Sequence, residues 1–189
     1  MKPTFAIASL MATVLLLQGC AAVVVAGAAG TASVANDRRT VGAYIDDESI
    51  ELKISGIIST DEELRNQTHV SAVSINGDVL LVGQVPGEAM RSRLIDEVQK
   101  IPGVRKVNNQ LRLMTPTRLS TRTHDTWLTS VVKGKLIASD VDASAIKVIT
   151  ENSEVFLMGL VSHQEGDTAA GVASNVSGVT RVVKVFQYR

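Results

Sequence analysis

The chain has 189 residues, 45% of them apolar and only 3% aromatic, and its 19 basic and 19 acidic side chains cancel to zero net charge. That balance argues against a bulk nucleic-acid binder, so any electrostatic role has to come from local patches. A single Cys excludes a disulfide framework, and the scarcity of aromatics leaves the cores to Val, Ile, Leu and Ala.

The first element is a leader. Lys2, an apolar run from Phe5 to Leu17 and the small residue Gly19 have the layout of a secretory signal peptide, too short for a spanning helix. Leu17-Gln18-Gly19-Cys20 reads as a lipoprotein signal. Residues 1–19 are then removed and Cys20 becomes an N-terminus carrying covalent N-acyl and S-diacylglycerol groups, with no other cofactor expected. Residues 20–45 are rich in Ala, Val, Gly and Ser with a polar end at Asn36-Asp37-Arg38-Arg39, and read as a lipidated flexible tether.

Beyond the tether the chain repeats itself. Gly77-Asp78-Val79-Leu80-Leu81-Val82-Gly83-Gln84-Val85 aligns in kind with Ser153-Glu154-Val155-Phe156-Leu157-Met158-Gly159-Leu160-Val161 at seven of nine positions. Ile101-Pro102-Gly103-Val104 matches Val176-Ser177-Gly178-Val179 at nearly the same spacing, so two copies of one module follow, over residues 46–115 and 124–189 with a linker at 116–123. Each opens on an amphipathic helix that Asp47 or Asp125 is expected to cap, with Ile50, Ile54 and Ile58 or Leu128, Val132 and Leu136 on the inner face. A hairpin comes next, turning at Asn76-Gly77 and at Asn152-Ser153. Gly83 and Gly159 interrupt its second strand, as a bulge or a close helix approach would require.

A second helix buries Leu94, Val98 and Ile101, or Ala169, Val172, Ala173 and Val176, and stops at Gly103 or Gly178. The last strand carries Val107, Leu111 and Leu113, or Val182, Phe186 and Tyr188. A helical crossover makes it parallel to the strand before the helix. The expected fold class is α+β, two tandem α-β-β-α-β units. Each is a three-stranded mixed sheet covered on one face by two helices, its other face left to solvent or a partner.

The strand Gly77–Gly83, the Pro102-Gly103-Val104 and Ser177-Gly178-Val179 signatures and their duplication resemble the BON domain (bacterial OsmY and nodulation). With the lipobox in front, the chain is similar to dual-BON outer-membrane lipoproteins. In such lipoproteins an Asp after the Cys retains the protein in the inner membrane, and here Ala21 stands there. The resemblance implies a periplasm-facing protein, enriched at division sites, that supports outer-membrane integrity and binds anionic phospholipid such as phosphatidylglycerol through the first helix of the second domain.

The two first helices differ in charge. Asp46, Asp47, Glu48 and Glu51 make one acidic, whereas Arg118, Arg122, Lys133 and Lys135 make the other and its approach basic. Only the second carries Trp127, opposite Ser49 in the repeat, and Trp favours the headgroup level of a bilayer. By pattern alone Trp127 fits two places: the line it forms with Val131 faces outward, or its ring widens the core contact at the helix start. The resemblance assigns it to the membrane, with Leu128, Val131, Lys133 and Lys135 completing the phospholipid-binding set.

Catalytic and metal signatures are missing. His69, His124 and His163 have no ligand spacing, no nucleophile elbow or phosphate-cradling loop occurs, and no metal site or enzymatic activity is expected. The runs at Asp46-Asp47-Glu48 and Asp61-Glu62-Glu63 read as helix cap and solvated loop rather than a calcium site. The competing reading is a scaffold for envelope assembly or cell-wall remodelling factors. An open sheet face or edge would recruit them, and the acidic first domain, lacking a comparable apolar anchor, is the place for such protein partners.

Overall fold

A computed structural model describes residues 39–189. The leader 1–19, Cys20 and the tether up to residue 38 lie outside the described residues. The first module runs α1 (Val41–Thr60), α2 (Glu62–Gln67), β1 (His69–Ile75), β2 (Asp78–Val85), α3 (Glu88–Gln99) and β3 (Lys106–Leu113). The second runs α4 (Leu119–Ile137), a short 3-10 turn (Ala143–Ala145), β4 (Ile146–Glu151), β5 (Glu154–Val161), α5 (His163–Ser174) and β6 (Arg181–Tyr188). Each sheet is mixed, with its second strand central, antiparallel to the first and parallel to the third. That is the α-β-β-α-β plan read from the repeat. It gains one short helix, α2, which Asp61 caps by accepting the Leu64 N–H at 2.9 Å.

Asp47 and Asp125 do not cap their helices. Thr40 caps α1, and α4 begins after Arg118, so both helices start six residues before the expected caps, inside the expected tether and linker. Each Asp instead sits buried in its helix and reaches the hairpin turn. Asp47 accepts the N–H groups of Asn76 at 2.8 Å and Gly77 at 2.9 Å, and Asp125 accepts those of Asn152 and Ser153, both at 2.8 Å. These turns have positive φ at both central residues, 50° and 78° in the first copy and 50° and 63° in the second, which leaves two N–H groups aimed together. A carboxylate satisfies both, so helix and hairpin are fixed by one side chain. In the first module Asp47 also takes the Ser74 hydroxyl at 2.6 Å and the Arg39 guanidinium at 2.7 Å.

Gly83 and Gly159 answer a close approach, to the first residue of β1 in one copy and to the 3-10 turn leading into β4 in the other, rather than to a packed helix. A Cβ at Gly83 would lie 2.0 Å from the His69 carbonyl oxygen, and one at Gly159 would lie 2.2 Å from that of Ala145. The neighbouring edge strand enters at that point. Only Gly83 also has a positive φ, 127°.

Each module has its own helix-side core. Ile50, Ile54, Val79, Leu81, Leu94 and Val98 fill the first, and Leu128, Val132, Leu136, Val155, Leu157 and Ala173 the second. A third cluster joins them: Ile75, Leu80 and Val82 from one sheet pack on Phe156 and Met158 from the other. The face that each sheet was expected to leave open is therefore covered by the other module. Asn76 and Gln187 hydrogen-bond across the junction at 2.9 Å, and Gln187 also donates to the Ile75 carbonyl at 3.1 Å. Buried Gln84 donates to Glu151 at 2.6 Å and accepts from the Thr117 N–H at 3.1 Å, tying the connection between modules to both.

Candidate functional site

Helix α4 has an inward face built by Asp125, Leu128, Val132 and Leu136, all buried. At about 100° per residue, Trp127 lies roughly 140° around the helix from the centre of that stripe. Its side chain is 54% exposed, with the His124 ring 5.5 Å from its own. Leu119 and Ile137, 77% and 74% exposed, occupy one line along the same outward face, about 27 Å apart at 1.5 Å per residue. Gly134 lies between them on open space. Exposed apolar side chains spread over five turns are more than the isolated surface Leu that needs no explanation.

Lys133 and Lys135 are exposed and stand on opposite flanks of this stripe, about 120° to one side of Trp127 and about 80° to the other. Among the described residues neither pairs with a carboxylate. An apolar line edged on both sides by unpaired ammonium groups can enter the headgroup layer with its cations at phosphate level.

The expected set divides accordingly. Trp127, Lys133 and Lys135 share the accessible side of the helix. Val131 is half-buried and packs against the second core, so it borders the stripe without leading it. Leu128 is fully buried and is corrected to a core residue, since reaching a bilayer would empty its place beneath the helix. Leu119 and Ile137 were missed. The helix starts earlier than the Asp cap implied, which hid the register of Leu119, and Ile137 is separated from Trp127 by ten positions.

Helix α1 is the corresponding element of the first module and exposes Val41, Ile45 and Leu52. The acidic module therefore has an apolar line after all, without an aromatic. Glu51 and Glu48 on this helix hold Lys147 of β4 at 2.7 and 3.4 Å. On the other side of the junction the His69 imidazole and Glu151 carboxylate lie 3.5 Å apart. Burial, then the nearby Arg122 charge, lowers the His69 pKa, and burial raises that of Glu151.

Among the described residues no group of three or more His, Cys, Asp or Glu is placed to hold a metal, and no helix is long and apolar enough to cross a membrane. The described chemistry is that of surfaces and an intermodule groove.

The BON domain profile matches residues 46–115 and again 124–189. The chain belongs to the BON-domain family. It carries two BON domains, and it is 40% identical to the outer membrane lipoprotein DolP of Haemophilus influenzae over all of this chain and 98% of that protein. It is 38% identical to the 21 kDa hemolysin of Actinobacillus pleuropneumoniae, over 80% of this chain and 79% of that one. With the osmotically-inducible protein Y of Escherichia coli it shares 30% identity, covering 75% and 72% of the two chains.

Proposed function

We propose that this protein is an outer-membrane lipoprotein, anchored through Cys20 and facing the periplasm, whose second BON domain binds anionic phospholipid through α4. Phosphatidylglycerol is the lipid of choice, because its headgroup adds no cation to compete with Lys133 and Lys135. Binding would enrich the protein at division sites and help maintain the outer membrane. The full-length similarity to a protein named outer membrane lipoprotein supports the location. The observation that carries the lipid reading is Trp127, exposed on the side of α4 away from the core and flanked by two unpaired lysines. Each basic residue near an anionic surface contributes about 1 kcal/mol, and the Trp ring adds an apolar body with a polar edge.

Sedimentation with vesicles tests it on the chain from residue 21 onward, which carries neither the apolar leader nor an acyl anchor. The chain should pellet with phosphatidylglycerol vesicles and not with phosphatidylcholine, and Trp127→Glu should abolish pelleting with the fold intact. Undiminished pelleting of the variant would end this reading. A second role rests on a separate observation: the exposed Val41, Ile45 and Leu52 of α1, beside Asp46, suit a protein partner with a basic apolar surface better than an anionic membrane.

A further inference from the structure

The duplicated modules leave one half of their junction closed and the other open. In the closed half, Lys147 of β4 reaches α1 and sits between Glu48 and Glu51. The repeat places Ser71 where Lys147 stands, and Thr126 and Thr129 where the two glutamates stand. With those three long side chains replaced by short hydroxyl-bearing ones, a groove of about 470 Å³ opens between β1, β4 and α4.

The charges around this groove are not equally available. Both oxygens of Asp125 accept turn N–H groups, and Glu151 accepts from Gln84 with its other oxygen toward His69. Lys133 lines the rim without an ion pair, and Arg122 donates its Nε to the Thr117 carbonyl at 3.0 Å while its charge acts on both His69 and Glu151. Thr129 shares its hydroxyl with Thr150 at 2.8 Å. Thr126 and Ser130 donate theirs to helix carbonyls at 2.9 and 3.1 Å, so the donors left to a phosphate group in this open groove are the two cations and the Ser71 hydroxyl. Lys133 and Ser130 line this groove and stand within about 40° of the Leu119 and Ile137 line of α4, so the groove borders that side of the outward face.

We infer that this open half is the seat of an anionic phosphodiester, that of the headgroup of the lipid whose apolar part meets the outward face of α4. The inference rests on the lipid reading above. Lys133 holds the phosphate from the rim, Ser71 donates from the β1 wall, Arg122 adds its charge about 16 Å further up the helix, and the acidic domain contributes by leaving room. The first module lacks such a seat because Lys147 fills the equivalent place.

The test installs the plug of one half in the other. The chain from residue 21 onward is compared with its Ser71→Lys/Thr129→Glu variant, whose net charge is the same, in titrations with phosphatidylglycerol vesicles, water-soluble glycerophosphoglycerol and inorganic phosphate. In the parent chain glycerophosphoglycerol should shift the backbone amide resonances of Ser71 and Thr129 more than inorganic phosphate does. The plugged chain should lose those shifts and bind vesicles at least tenfold more weakly. Arg122→Gln, expected to weaken vesicle binding about threefold or more, decides the matter if the plugged chain does not fold. Vesicle affinity unchanged in the plugged chain, with Trp127 still responding, would overturn the groove and leave the α4 reading standing. If the parent chain ignores vesicles, the lipid reading fails on its own. Amide shifts with glycerophosphoglycerol would then keep a phosphodiester seat with a soluble source, and their absence would remove it. Equal shifts with inorganic phosphate would overturn the headgroup as occupant.

Discussion

Helices α1 and α4 are the same element made twice, and they agree on their inner sides while diverging on their outer ones. Each buries an Asp against a positive-φ hairpin turn, with two aliphatic side chains of α1 and three of α4 buried against the sheet. Outside, Trp127 stands opposite Ser49, Lys133 opposite Ser55, and the acid-bound Lys147 has no counterpart across the junction. The inward residues answer to a shape that both copies must keep. The outward ones answer to what lies beyond the protein, and duplication lets one copy change them while the other holds the fold.

The largest effects should come from the shared inner features. Gly83→Ala drives a Cβ to 2.0 Å from the His69 carbonyl oxygen at a φ of 127°, and should cost about 4 kcal/mol or more in urea unfolding. Gly159→Ala meets a similar contact without the positive φ and should cost less. Asp47→Ala strands two turn N–H groups and a hydroxyl and removes the ion pair to Arg39, a loss of about 3–5 kcal/mol, whereas Asp125→Ala strands two N–H groups for about 2–3 kcal/mol. Equal losses at the two Asp positions would deny the difference between the modules.

Adjacent positions on α4 separate core from surface. Leu128→Ala should cost about 2–5 kcal/mol of stability, while Trp127→Ala should change it by no more than about 0.5 kcal/mol and remove vesicle binding. Should Trp127→Ala destabilise as strongly as Leu128→Ala, the ring belongs to the core.

The pH dependence of the junction is smaller. Burial raises the Glu151 pKa above its ordinary 4.5, so the folded state takes up that proton more readily and this contribution to stability is present below 4.5 and lost as pH rises through the folded value. His69 is lowered from 6.5, so its contribution is present above 6.5 and lost as pH falls through its folded value. Glu151→Gln should therefore be more stable than the parent at pH 7, with the gap closing toward pH 4.5. A gap that widens on acidification would reverse the assignment. The smallest expected effect is Ser49→Trp: an aromatic placed on acidic α1 should confer no second anionic-lipid contact, seen when it is added to a chain already carrying Trp127→Ala.

The repeat was legible because its two Gly-interrupted strands and the glycines Gly103 and Gly178 recur at nearly fixed spacing. The second helices end earlier than expected, at Gln99 and Ser174, and these two glycines instead take the positive φ of 95° and 97° in the turns before the last strands. The helix starts were not legible. Asp47 and Asp125 have the chemistry of caps, and only the hairpin turn brought near them in space gives their carboxylates other donors. Sheet-on-sheet packing did leave a signal in the unbroken runs Val79–Val82 and Val155–Met158, apolar on both faces rather than alternating. At the site, Trp127 and the two lysines were readable as an aromatic among cations. The groove was not, because it depends on three short side chains whose meaning emerges only beside Lys147, Glu48 and Glu51.

The most direct measurement is the emission of Trp127, the single Trp of the chain, in the protein from residue 21 onward titrated with phosphatidylglycerol and with phosphatidylcholine vesicles. A blue shift with phosphatidylglycerol alone, reversed by salt as screening weakens the lysine contribution, is the predicted result. An unshifted spectrum with both lipids in a folded protein would contradict α4 as the membrane-contact helix.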